Sequence, residues 1–126
     1  MPISIASRKA KARELQKWVC KKASELTDIE WGKDKMIASR EMGQSGTDVR
    51  LIGEAREKFP WSVECKRQEK WSVHDWIKQA EDNKLKNTDW IVVARKSRKK
   101  AVVILDAEVF FDILDRIEDD VKGRLP

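Results

Sequence analysis

From Arg8 to Leu26 the apolar residues Ala12, Leu15, Trp18, Val19, Ala23 and Leu26 recur at helical spacing, with lysines and arginines between them. That period predicts an amphipathic helix with a basic outer face. After Gly32, the short apolar run Met36-Ile37-Ala38 predicts a first strand, and Gly43-Gln44-Ser45-Gly46 a loop leading to the second. Asp48-Val49-Arg50-Leu51-Ile52 alternates polar with apolar, as a strand does. Residues 53–60 read as a charged turn. In Trp61-Ser62-Val63-Glu64-Cys65-Lys66 the alternation resumes, with Trp61, Val63 and Cys65 on a core face and Ser62, Glu64 and Lys66 on the other.

Ser72, with Asp75 three positions on, predicts the capped start of a helix that buries Val73, Trp76, Ile77 and Ala80 and frays at Asn83. Trp90-Ile91-Val92-Val93-Ala94 and Ala101-Val102-Val103-Ile104-Leu105 are continuous apolar runs, the pattern of strands buried on both faces. Asp106 predicts the cap of a last helix that turns Val109, Phe110, Ile113, Leu114 and Ile117 to the core and frays from Val121. The order helix, three strands, helix, two strands, helix predicts an α/β fold: one domain over residues 1–126, its core over about 8–118, with a mixed five-stranded sheet flanked by helices.

A chain of 126 residues is long enough to bury a core without disulfides or structural metal. Its two cysteines, Cys20 and Cys65, both fall at apolar positions and read as reduced core thiols. Without an apolar run near the ~20 residues that span a bilayer, and with a basic start that reads as helix rather than signal sequence, the expectation is a soluble, cytoplasmic protein. Charge is uneven. Seven acidic and three basic side chains lie from Asp106 onward, a balance of −4, so residues 1–105 carry +9 within the net +5. A basic body predicts a polyanionic partner, since phosphate neutralisation releases counterions.

Pairing the runs that hold Asp48 and Glu64 as neighbouring strands brings their carboxylates together, with Lys66 two residues along on the same face. Magnesium takes oxygen ligands and keeps several waters, so one or two carboxylates and a substrate phosphate suffice to hold it. Two carboxylates and a lysine at one point therefore fit a divalent-metal site for phosphodiester hydrolysis.

A helix glutamate (Glu14 in Ala12-Arg13-Glu14-Leu15), Ser45-Gly46-Thr47-Asp48, Glu64-Cys65-Lys66 and a following helix bearing Gln79 stand in the order of the PD-(D/E)xK nuclease superfamily. Over roughly residues 8 to 106 the chain resembles its small archaeal and phage-type Holliday-junction resolvases, with Thr47 where the family name has proline. The resemblance implies a restriction-endonuclease-like fold and a magnesium site, served also by manganese, held by Asp48, Glu64 and the Cys65 backbone carbonyl. By it Lys66 is the catalytic lysine, Glu14 holds a metal-bound water, Gln79 faces the site, and Arg40 and Ser45 lie near the scissile phosphate. The run Arg95-Lys96-Ser97-Arg98-Lys99-Lys100 then offers backbone contacts to DNA through Arg95, Lys96, Arg98, Lys99 and Lys100.

The implied activity is an endonuclease that makes paired nicks in four-way DNA junctions as a homodimer, in recombination and repair. The alternatives are a nicking, restriction-type or repair nuclease on duplex or branched DNA with the same site, and a non-catalytic nucleic-acid-binding module in which Glu64 and Lys66 form an ion pair. His74, the single histidine, reads as a surface group. Of six tryptophans, Trp18, Trp61, Trp76 and Trp90 read as core. Trp31 and Trp71 lie in polar stretches, and with the acidic last helix they are the candidates for a dimer contact or base stacking.

Overall fold

The first helix, α1, runs Ile5–Thr27. The computed structural model describes residues 4–41 and 45–124, with side-chain surroundings as far as Glu118. Ser4 caps α1 by accepting from the Ser7 amide at 3.1 Å, and Asp28 ends it in the left-handed region, φ 58°. Leu15, Val19, Cys20 and Ala23 form its buried stripe, whereas Trp18 is 45% and Leu26 76% exposed. The covered stripe is thus narrower than the sequence predicts. Trp18 instead lies under the Lys22 ammonium, 5.6 Å from its ring centre.

Five strands form as expected, β1 Ile37–Ser39, β2 Val49–Leu51, β3 Trp61–Arg67, β4 Asp89–Arg95 and β5 Val102–Leu105. They do not make one five-stranded sheet. β1 and β2 pair antiparallel with Ile37 opposite Leu51. A separate sheet has the order β3-β4-β5, parallel between β3 and β4, antiparallel between β4 and β5. The ladder breaks at Asp48. Its amide donates to the Val63 carbonyl at 2.8 Å, but its side chain, not its backbone, takes the next amide of β3, that of Cys65.

Residues 53–60, predicted as a turn, contain a short helix, α2 Glu54–Lys58. Gly53, at φ 57°, permits the reversal. Ala55 is then buried, and Glu54 pairs with Lys58 at 3.0 Å.

α1 covers one face of β3 and β4, and α3, Val73–Asn83, covers the other. Ile91 and Val93 join the α1 core, while Val92 and Ala94 meet Trp76 and Ala80 of α3. The continuous apolar run of β4 is explained by burial on both faces. Coverage by α3 buries the second face of β3 as well, Ser62 and Glu64 being each 2% exposed. Ser72 stands at the start of α3, but its hydroxyl donates to Asp75 at 2.5 Å instead of capping a backbone amide.

The last two elements depart most from expectation. β5 is an edge strand with Val102 and Val103 exposed. α4, Ala107–Arg124, is capped as predicted, Asp106 accepting from the Glu108 and Val109 amides at 2.8 and 3.3 Å. Its apolar face is not in the core: Phe110, Phe111, Leu114 and Ile117 are exposed. The helix runs on to Arg124 through the stretch expected to fray. Both thiols are buried, which pushes Cys20 up to about 11 and Cys65 well above the ordinary range. Among the described residues, no helix is long and apolar enough to cross a membrane.

Candidate active site

Asp48 is fixed by β3 itself. Its own amide is bonded to the Val63 carbonyl, and its Oδ2 accepts the Cys65 amide at 2.7 Å. This sets its carboxyl beside that of Glu64, close enough for each to shift the other's proton affinity. A residue's N–H and C=O leave a strand on the same edge, so the Cys65 carbonyl also points toward Asp48 rather than into the β4 ladder. Two carboxyl groups and a carbonyl converge at this edge.

Burial raises the Asp48 carboxyl above the ordinary carboxylate range, against the opposing pull of the Cys65 amide, Lys66 and Arg40. Burial is also the main cause that pushes Glu64 up to about 7, with Asp48 adding to it and Asn83 and Lys66 opposing. Asn83 donates to Glu64 Oε1 at 2.8 Å. Lys66 donates to Gln79 Oε1 at 2.6 Å, so α3 orients both functional side chains of β3. Gln79 and Asn83 are one helical turn apart, on one face of α3.

A cleft of about 560 Å³ opens here, lined by Ser45, Gly46, Asp48 and Gln79, with Asp75, Lys78, Asp82 and Asn83 along its α3 wall. Gly46, at φ 101°, turns the chain so that Arg40 Nε donates to the Thr47 carbonyl. Arg40 thereby adds positive charge beside Asp48. Thr47 is buried and donates its hydroxyl to the Val49 carbonyl at 3.2 Å.

Glu14 does not join this group. It lines a separate cleft of about 630 Å³ with Lys11, Trp18, Arg67, Arg95 and Lys100. The alternation of β3 explains the separation: Glu64 and Lys66 face α3, whereas Cys65 and Arg67 face α1. No group of three or more His, Cys, Asp or Glu suited to a metal is found among the described residues. Asp48 and Glu64 are the two carboxyls set side by side, while Asp75 and Asp82 stand apart on the α3 wall of the cleft, bonded to Ser72 and Lys78.

The basic run forms the β4–β5 turn and is exposed at Arg95, Lys96, Arg98, Lys99 and Lys100. Its shape is latched to β3. Glu69 accepts the Ser97 amide at 2.9 Å and pairs with Arg67 at 3.1 Å. The Ser97 amide, foremost, holds the Glu69 carboxyl below its ordinary range. Trp71 is 38% exposed, and its ring lies 5.5 Å from that of buried Trp76. Trp31 instead packs half-buried against the main core.

Asn83 is the site residue that sequence reasoning missed, because asparagine near a helix end reads as fraying. Its spacing of four from Gln79 was the available signal. Comparison with known proteins returned no matching family model, no similar curated protein and no similar solved structure.

Proposed function

We propose that this chain is a divalent-metal-dependent endonuclease of PD-(D/E)xK type acting on branched DNA, with the four-way junction as its substrate. One observation carries the reading. Asp48, just ahead of β2, and Glu64 of β3 set a half-buried carboxyl beside a buried one, next to the lysine that Gln79 holds, with Asp48 and Gln79 on the wall of a cleft. A buried carboxyl beside a second, half-buried one is costly to ionise without a cation. A pair with a stabilising role alone would be replaceable by apolar side chains.

The donor set fits magnesium or manganese, since Asp48, Glu64 and the Cys65 carbonyl are all hard oxygen ligands at one strand edge. Such an ion supplies positive charge to the phosphoryl oxygens and acidifies water. The protein's own part is positional. Asn83 orients Glu64, and the Cys65 amide orients Asp48. The Lys66 ammonium, fixed by Gln79, offsets charge that grows on the phosphate in the transition state. Ser45, on the cleft wall, offers a hydroxyl to the same phosphate.

Recognition of phosphates rather than bases matches the exposed basic turn, whose charged side chains are lysines and arginines. The deciding experiment compares cleavage of a four-way junction with that of a duplex of the same sequence, in magnesium and in EDTA. Magnesium-dependent nicking of the junction is expected, at least tenfold faster than of the duplex. Equal rates on both would leave the duplex-nicking enzyme, and binding without cleavage would leave the non-catalytic module.

A further inference from the structure

We infer that the cleft between α1 and the ends of β3 and β4 binds an unpaired nucleic-acid strand, with a base stacked on Trp18 and the flanking phosphates on Lys11, Arg95 and Lys100. The site is separate from the catalytic cleft and does not rest on the nuclease reading. Its volume of about 630 Å³ falls in the range that takes a ligand of nucleotide size. Lys11, Glu14 and Trp18 stand at i, i+3 and i+7 on one face of α1. Opposite them the cleft is lined by Arg67, Arg95 and Lys100, so four cations meet the single carboxylate of Glu14.

The charges are concentrated at a cost. Arg67 and Arg95 are register partners in the parallel β3–β4 ladder, so their side chains leave the sheet on the same face. Like charges so placed repel. Glu69 offsets Arg67, accepting from its Nη1 at 3.1 Å, and the Ser97 hydroxyl accepts from its Nη2 at 3.3 Å. Arg95 is steadied by its Nε, which donates to the Lys99 carbonyl at 3.0 Å, a contact that leaves its charge unopposed. Among the described residues, Lys11, Arg95 and Lys100 make no ion pair. Guanidiniums already held in place beside uncompensated charge suit an anion that arrives from outside, because binding need impose little further order.

Trp18 decides the kind of anion. An indole 45% exposed on the wall of a basic cleft offers a π-face, and a base stacks on such a face whatever its identity. In a duplex the bases already stack on one another and show only their edges, so the occupant is an unpaired strand. Glu14 accepts hydrogen bonds and donates none, which suits the N–H groups of a base and not a phosphate. A bare phosphate or an acidic peptide would use the cations and leave Trp18 and Glu14 without a role. Alternation along β3 sets Arg67 on the α1 face and Lys66 on the α3 face, so strand site and catalytic cleft lie on opposite sides of the sheet. Arg95 and Lys100, the first and last residues of the basic turn, carry its phosphate path into the cleft.

Fluorescence anisotropy of a labelled decathymidylate, in EDTA at low salt, reads this site directly. The strand should bind, and a hairpin duplex of equal nucleotide number should compete less well. Trp18→Ala should weaken strand binding about tenfold, while Trp18→Phe, which keeps a ring, should retain most of the affinity. Lys11→Gln with Lys100→Gln should lower the slope of log K against log salt by about 0.7 for each strand phosphate no longer neutralised. Crosslinking needs no substitution. A decathymidylate carrying bromouracil, irradiated on the wild-type protein, should attach at Trp18, as located by peptide mass spectrometry. Unchanged affinity in Trp18→Ala, a duplex that competes equally, or crosslinks confined to other residues would overturn the proposal. Cleavage in magnesium is scored separately. Strand binding without cleavage removes the nuclease and keeps this site, and junction cleavage without strand binding does the reverse.

Discussion

Asn83, at the end of α3, donates to Glu64 Oε1 at 2.8 Å, so the helix on one face of the sheet sets the angle of a carboxyl on β3. Glu64 is 2% exposed, and this is the hydrogen bond that favours its charged form most. Asn83→Ala is expected to cost about 1–3 kcal/mol of stability by leaving a buried acceptor unpaired. It should also raise the magnesium concentration needed for half-maximal cleavage. Thermal unfolding and a magnesium titration read the two effects independently, and an unchanged titration would make Asn83 purely structural.

Asp48 has two duties that substitution can separate. Asp48→Asn keeps an oxygen for the Cys65 amide and removes the charge, so the fold should hold while cleavage falls about 10²-fold or more. Asp48→Ala also orphans that amide and should lose a further ~1–3 kcal/mol of stability. Junction binding in EDTA should survive in both. Cleavage by Asp48→Asn at the wild-type rate would remove Asp48 from the chemistry.

Stability should fall as pH rises in the metal-free protein. Glu64 binds its proton more tightly folded, at about 7, than at the ordinary 4.5, so the folded state holds the extra proton between those values. Its contribution is full below about 4.5 and is lost as pH rises through about 7, with a change on the order of 3 kcal/mol. Glu64→Gln should flatten this dependence, and magnesium should restore stability at pH 8 to the wild type but not to Glu64→Gln. Denaturant titrations across that pH range, with and without magnesium, check both statements.

The β4–β5 turn should carry salt-sensitive affinity. Replacing Lys96, Arg98 and Lys99 with glutamine should reduce the slope of log K against log salt by about 0.9 for each duplex-arm phosphate that is no longer neutralised. The turn's shape depends on the Ser97 amide and Glu69 rather than on these cations. An unchanged slope would confine the run to keeping the turn solvated.

The sequence alone determined the elements and the chemistry of the site residues, because both follow from local pattern. Period-3.6 and period-2 runs gave α1, α3, α4 and all five strands to within a few residues, and alternation placed Glu64 and Lys66 on one face of β3. Tertiary structure decided what covers each face. Nothing local to Glu64 indicates that α3 buries it, because helix and strand meet only once the parallel β3–β4 crossover is made. The same limit explains why Glu14 faces another cleft and why β1 and β2 stand apart from the other strands. It also explains why the stripe of α4 lies open. An apolar stripe specifies that something must cover it, and only the packed chain shows whether that cover is its own core.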